Sequence, residues 1–247
     1  MDPGYYVAAG SMKARSFELD VVSNNLANAA TVSYKPDQPY FAVFNKAEGS
    51  GRGLPLTPYV NDGVVYGETG VLFKQGALRA TGRPLDLAIE GNAFFTVRTA
   101  QGDQVTRDGR FQMGADGQIQ ASDGSPILGK NGQPIQIDAK KGNVTITADG
   151  TVQQAGQIVG QVALTAYEKP GALKRVGALR YDPTGQATAP VQATVAQGHV
   201  EASAVDTASA MVEMIRLNRL FEMSQKVAST LSNNLDASSI NDVAISR

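Results

Sequence analysis

The chain has 247 residues, 42% of them apolar and 18% charged, with a formal net charge of −1 at pH 7. Such a chain can bury a sizeable core, and it carries no overall field that would draw it to nucleic acid or anionic lipid. It has no cysteine, which excludes a disulfide framework, a thiolate metal site and a cysteine nucleophile. The opening Met1-Asp2-Pro3-Gly4-Tyr5 is no basic, apolar leader, and no run approaches the roughly eighteen apolar residues of a membrane span. Direct membrane insertion is therefore not expected. Export, if it occurs, is expected to proceed without a cleaved signal peptide.

The first predicted element is a helix. Asp2 suits an N-cap and Pro3 the first helical position. Val7, Gly10, Ala14, Phe17 and Val21 then recur at the alternating three- and four-residue spacing of a coiled-coil seam. The same spacing lands on Asn24 and Asn28. Two readings stand there: buried asparagines that fix register, or a helix that ends and is capped by them. At about 1.5 Å per residue this helix would be roughly 40 Å long.

Residues 33–70 read as an irregular, extended region. Pro36, Pro39, Pro55 and Pro58 interrupt any helix, and 46–53 is a glycine-rich loop without a nucleotide-binding spacing.

Residues 71–198 read as an antiparallel β domain of short strands, a sandwich or partial barrel. Strands are predicted at Leu85–Glu90, Phe94–Arg98, Gly117–Gln120, Pro134–Ile137, Val144–Thr147 and Val159–Tyr167. Asp108-Gly109, Asp116-Gly117, Asp123-Gly124, Asn131-Gly132 and Asp149-Gly150 are predicted as tight turns in which both residues take positive φ. Their spacing is not that of calcium loops.

A second long helix is predicted from about Asp206, with Ser203 as a rival cap. Its seam runs Ala210, Met214, Leu217, Phe221, Ser224, Ala228, Leu231, Leu235. About thirty residues would span roughly 45 Å, close to the length of the first helix, which suits side-by-side pairing. Glu213, Arg216, Arg219, Glu222 and Lys226 suit i,i+3 and i,i+4 pairs on a solvated face, or contacts to neighbouring subunits. The single histidine, His199, sits at the junction of β domain and helix, and no nucleophile or paired-carboxylate motif accompanies it. The residues thus describe an α+β, mainly β protein. Its parts are an N-terminal helix (1–32), an extended region (33–70), a β domain (71–198) and a C-terminal helix (199–247). No enzyme activity, metal or cofactor is expected.

Four segments carry a resemblance over nearly the whole chain. They are Ser23-Asn24-Asn25-Leu26-Ala27-Asn28, Thr81–Ile89, Thr106-Arg107-Asp108-Gly109-Arg110-Phe111, and Met211–Leu217 with Phe221-Glu222-Met223. In that order they resemble the axial proteins of the bacterial flagellum, the rod and hook family. The Met-Asp start, the length and 219–223 are most similar to the proximal-rod branch, with the distal-rod branch as close rival. Ser33 and Ala93 stand where that family usually has Gly, and it has Asn near Ala204.

The resemblance implies a structural subunit of the basal-body rod in the cell envelope. It would pass unprocessed through the flagellar type III export apparatus to the periplasmic part of the envelope. Its terminal helices would self-assemble with other rod proteins into an inner coiled-coil tube, and its β domain would form the outer layer. Assembly contacts are expected at Val7, Ala14, Phe17, Val21, Asn24, Asn25, Leu26, Asn28, Met214, Leu217, Phe221, Ala228, Leu231 and Leu235. In a lone chain those seams are expected to face water. A secreted β-domain binding module or adhesin is the alternative from another class, and a wall hydrolase a third.

Overall fold

A computed structural model of the chain describes residues 3–43, 64–177 and 179–245, with side chains described over 9–40, 68–177 and 179–230. Contacts divide the chain into two compact units. One holds residues 1–26, 37–70 and 207–247; the other holds 27–36 and 71–206.

In the first unit, α1 spans Pro3–Ala27 and α2 spans Thr207–Ile245. Helix α1 begins at the proline picked out by the sequence, and α2 begins one residue after Asp206. Their lengths are unequal, 25 and 39 residues, so the similar lengths expected for α1 and α2 are corrected. Strands Asp37–Val43 and Val64–Val71 pair as a two-stranded ribbon inside the region read as irregular. Pro39 hid the first of them; a proline is tolerated in a strand with a free edge, and a two-stranded ribbon has two.

The second unit is the β domain. Its largest sheet has six antiparallel strands in the order Lys174–Arg175, Arg180–Asp182, Gly102–Thr106, Ala93–Thr99, Leu164–Tyr167, Thr188–Ala189. A three-stranded sheet (Val144–Ile146, Thr151–Gln154, Gln157–Gln161) and three strand pairs complete it. The arrangement is thus one main sheet with small satellites rather than two matched sheets. Strand Ala93–Thr99 is central and buried on both faces. Phe95 and Val97 enter the larger core, with Leu87, Ile89, Phe111 and Ile127. Phe94 enters a second core with Val105, Tyr167 and Tyr181. Successive side chains of a strand point to opposite faces, so two neighbouring phenylalanines serve two cores. Phe94 meets Phe73 edge-on at 5.1 Å, and Phe95 meets Phe111 edge-on at 5.1 Å.

The turn chemistry differs from expectation in an instructive way. At 116–117, 123–124, 131–132 and 149–150 only the glycine has positive φ. Each of those glycine amides donates to the carbonyl three residues back, as from Gly117 N to Gly114 O at 3.0 Å. The Asp or Asn oxygen instead accepts the amide two residues on, as from Gln118 N to Asp116 Oδ1 at 3.1 Å. The acidic residue thus closes a turn with its side chain and leaves the left-handed position to glycine. Gly109 does something else. Its φ is not positive, and a Cβ there would lie 1.6 Å from the carbonyl oxygen of Leu87. This glycine is needed for close backbone approach, and Leu87 N donates to its carbonyl at 2.9 Å.

Candidate assembly surface

Helix α2 carries apolar side chains on two opposite sides. The side read from the seam is already covered within the chain: Leu217 is buried, and Ala210, Met214, Phe221, Ser224 and Ala228 are half-buried. On α1, Val21 is buried, and Gly10, Ala14, Phe17 and Leu26 are half-buried. Val7, Leu231 and Leu235 lie outside the residues whose side chains are described. The expectation that both seams face water in a lone chain is therefore corrected. An apolar stripe is covered first by whatever lies within the same compact unit, and both helices share one.

The exposed apolar residues of α2 are others: Met211 (50% exposed), Val212 (68%), Ile215 (55%), Met223 (62%) and Val227 (54%). At about 100° per residue Met211, Val212, Ile215 and Met223 fall on the side of α2 away from Leu217, with Val227 on its flank. The seam template passed over them because it takes two positions in every seven and reads the remainder as surface. Their signal was the i,i+4 pairs Met211–Ile215 and Met223–Val227.

Charges line the same helices. Arg15 and Glu18 of α1 pair at 2.7 Å. Arg216 reaches Glu213 through two hydrogen bonds of 2.6 and 2.9 Å. The Arg216 hydrogen bond above all, then the charges of Arg216 and Arg15, hold the Glu213 carboxyl below its ordinary range against partial desolvation. Hydrogen bonding and charge from Glu213, with a smaller push from Glu18, raise the Arg216 guanidinium. Thus α1 and α2 exchange charge across their shared unit.

The asparagines divide differently from the spacing. Asn24 is exposed and Asn25 is buried. The Asn25 Nδ2 donates to the Asp37 carbonyl at 2.8 Å, and its Oδ1 accepts the Asp37 amide at 2.8 Å. This two-pronged clasp fastens the end of α1 to the start of the ribbon. Asn28 accepts the Thr31 hydroxyl at 3.1 Å and its carbonyl accepts the Thr31 amide at 3.0 Å, as a turn does.

Beyond α1, residues 27–36 join the β domain as a strap. Ser33 donates from its amide to the Glu201 carbonyl at 2.8 Å, and Ala204 donates to the Tyr34 carbonyl at 3.0 Å. Ser33 holds φ at +59°, a left-handed conformation that costs a non-glycine residue on the order of 1 kcal/mol. The Lys35 ammonium is sealed inside against Glu201 at 2.5 Å. Burial, first, and the neighbouring Arg107 lower the Lys35 pKa, against the pull of Glu201. Arg107 is itself buried, 4.9 Å above the Phe94 ring, with its Nη2 donating to the Gly91 carbonyl at 2.7 Å. Burial likewise lowers its pKa. Arg175 stacks over Tyr34 at 5.0 Å.

A surface groove of about 470 Å³ contains Asp108, Arg110, Asp123 and Arg180. Its charges are matched, with Arg110 on Asp108 at 2.7 Å and Arg180 on Asp123 at 2.5 Å. His199 rests its Nδ1 against the Gln197 carbonyl at 2.8 Å. Among the described residues no group of three or more metal-ligating side chains converges, and no helix is long and apolar enough to cross a membrane.

Comparison with known proteins places these features together. Residues 6–35 match the family described as flagella basal body rod protein. Residues 88–154 match the flagellar hook protein FlgE/F/G D1 domain, and 196–241 match the flagellar basal body rod FlgEFG protein C-terminal. The chain is 34% identical to the flagellar basal-body rod protein FlgF of Mesorhizobium japonicum over 90% of each. It is 32% identical to FlgF of Caulobacter vibrioides over 96% of each. It is 29% identical to the flagellar basal-body rod protein FlgG of Buchnera aphidicola subsp. Acyrthosiphon pisum, over 93% of this chain and 96% of that one.

Proposed function

The chain belongs to the flagellar rod and hook family, as a FlgF-like structural subunit of the basal-body rod, and from that premise we propose how it is built into the rod. Helices α1 and α2 pair as a coiled coil through their seams. The outer apolar side of α2 then packs against neighbouring rod subunits, the same protein or its relatives. Repetition of that contact makes an inner tube, with the β domain outside it, and the tube carries torque from motor to hook. The subunit reaches the periplasmic part of the envelope through the flagellum's own export apparatus, without losing a signal peptide and without entering the membrane. It acts through its contacts and not as an enzyme.

One observation carries this reading: among its described residues α2 has two apolar sides, one covered and one exposed. Fully burying an aliphatic side chain contributes about 1.5–3 kcal/mol. Five such residues left half in water are a large cost for a chain that stays alone. For one that does not, they are apolar area ready to be buried against a neighbour.

An epitope tag at the exposed Lys140-Lys141 turn tests the placement. Basal bodies isolated from a complemented deletion strain are expected to carry the label on the rod. Label confined to the filament, the cell surface or the medium would reject the assignment to the rod and favour a secreted binding module.

A further inference from the structure

We propose that the buried Lys35–Glu201 pair is a latch: it docks the strap that follows α1 only after the last strand before α2 has formed, and it opens without unfolding the β domain.

The partners are far apart in sequence, 166 residues, and sealed from solvent together, with 2% and 0% of their side chains exposed. Each is held at a second point. The Lys35 Nζ also donates to the Lys74 carbonyl at 2.6 Å, and Glu201 Oε1 also accepts the Gly76 amide at 2.7 Å. Around them the strap is fastened by backbone. Leu72 N donates to the Pro36 carbonyl at 2.9 Å, and Arg175 Nη2 donates to the Lys35 carbonyl at 2.6 Å. The strap therefore meets residues 72–76, Arg175 and 201–204 at one place.

The charges make this contact conditional. Glu201 is the carboxylate that offsets Lys35, and Arg107 beside it repels Lys35. A lysine entering this site with Glu201 absent or not yet in place would be a buried ammonium next to buried guanidinium. Removing one partner of a buried pair shifts such an equilibrium by about a hundredfold or more. With the strap lifted away, water reaches Glu201, and the Phe94 ring keeps its edge-on contacts with Phe73, Tyr167 and Tyr181, all outside the strap. The pair thus separates docking of the strap from folding of the β domain. Strained Ser33 adds a bias toward release once the latch is broken. Strand His199–Glu201 ends only six residues before α2 begins at Thr207, so a closed strap reports that the β domain is complete through its last strand. The use of such a signal during export rests on the rod assignment; the latch itself does not.

Hydrogen exchange on the full-length chain, read by mass spectrometry, tests it. In Glu201→Gln the amides of Ser33 and Ala204 are expected to exchange about a hundredfold faster or more, while Val97 and Val105 in the main sheet stay within about threefold of wild type. Chymotrypsin should then cut after Tyr34, which is buried in the native chain. Lys35→Met must reproduce both results, because the pair acts as one device. Unchanged strap protection in either variant would overturn the latch. Simultaneous loss of strap and main-sheet protection would overturn it too, because the strap would then be part of one cooperative core.

Discussion

Two residues one position apart from being neighbours should respond oppositely to the same truncation. Leu217 is 1% exposed and Ile215 is 55% exposed. Leu217→Ala removes buried methyl and methylene groups and leaves a cavity, so it should lower the stability of the isolated chain by about 2–5 kcal/mol. Ile215→Ala removes three carbons, worth about 2.4 kcal/mol at full burial at ~0.8 kcal/mol each. Rather less than half of that is realised in the lone chain, and alanine's helix propensity returns a few tenths. The isolated chain should therefore lose under about 1 kcal/mol. The unrealised part, about 1.3 kcal/mol, is lost only in the assembled rod, where it is roughly a ninefold weakening at every copy of the contact. Ile215→Glu sharpens the effect, since a carboxylate in a dry contact is far costlier than a missing methyl. Urea unfolding followed by helix ellipticity measures the first effect. Swimming and the integrity of basal bodies in a complemented deletion strain measure the second. If Ile215→Ala destabilised the lone chain as much as Leu217→Ala, the outer side of α2 would not be free. If Ile215→Glu left swimming and basal bodies normal, that side would not be an assembly contact.

The two adjacent asparagines should separate in the same pair of assays. Asn25→Ala removes both arms of the Asp37 clasp and should lower stability by about 1–3 kcal/mol, whereas exposed Asn24→Leu should leave unfolding within about 0.5 kcal/mol and act, if it sets register, on rod assembly alone. The reverse order in urea would contradict the clasp, and normal motility in Asn24→Leu would remove the register role. Asp149 predicts a pH effect. The Thr147 and Thr151 hydroxyls, with the Thr151 amide, hold its carboxyl down at about 2. A folded-state value below the unfolded one gives stability that is present above the ordinary carboxylate range and lost as pH falls from about 4 toward 2. Asp149→Asn should flatten the acid side of the stability curve in that window, and identical acid slopes for the two proteins would refute it.

How much of this was legible follows from the range of each interaction. The order helix, β domain, helix was written in local signals: Pro3, Asp206, and the Asp-Gly and Asn-Gly pairs. Four of those pairs do make turns. The fifth, at Gly109, was misread because a dipeptide does not reveal that the Leu87 carbonyl will press against it. The sequence offers no pairing of Glu201 with Lys35. Nothing local marks either as buried, because the reason for burying one is the other, at the far end of the chain. Ser33 carried a usable hint: a serine where the resembled family has glycine stands at a left-handed backbone position. Asn25 is expected from its motif as an assembly contact, and its clasp escapes the sequence because the partner is the backbone of a region that reads as irregular.

The unequal helices bear directly on how the chain would meet its neighbours in a rod. The seam read from the sequence ends at Leu235 and gives α2 about thirty residues. The helix runs on to Ile245. At about 1.5 Å per residue, α1 is roughly 37 Å long and α2 roughly 58 Å. Even a pairing that used all of α1 would leave about 21 Å of α2 without it. Helices in water owe most of their stability to packing, so this length gains little while it stands alone. Helix α2 therefore has two reasons to seek a neighbour. One is lateral, the apolar side of Met211, Val212, Ile215, Met223 and Val227. The other is axial, the length that α1 cannot match. A contact that satisfied only the lateral one would make a dimer. Satisfying both at once requires each subunit to overlap the next along the helix axis, and repeated overlap of that kind builds a shaft.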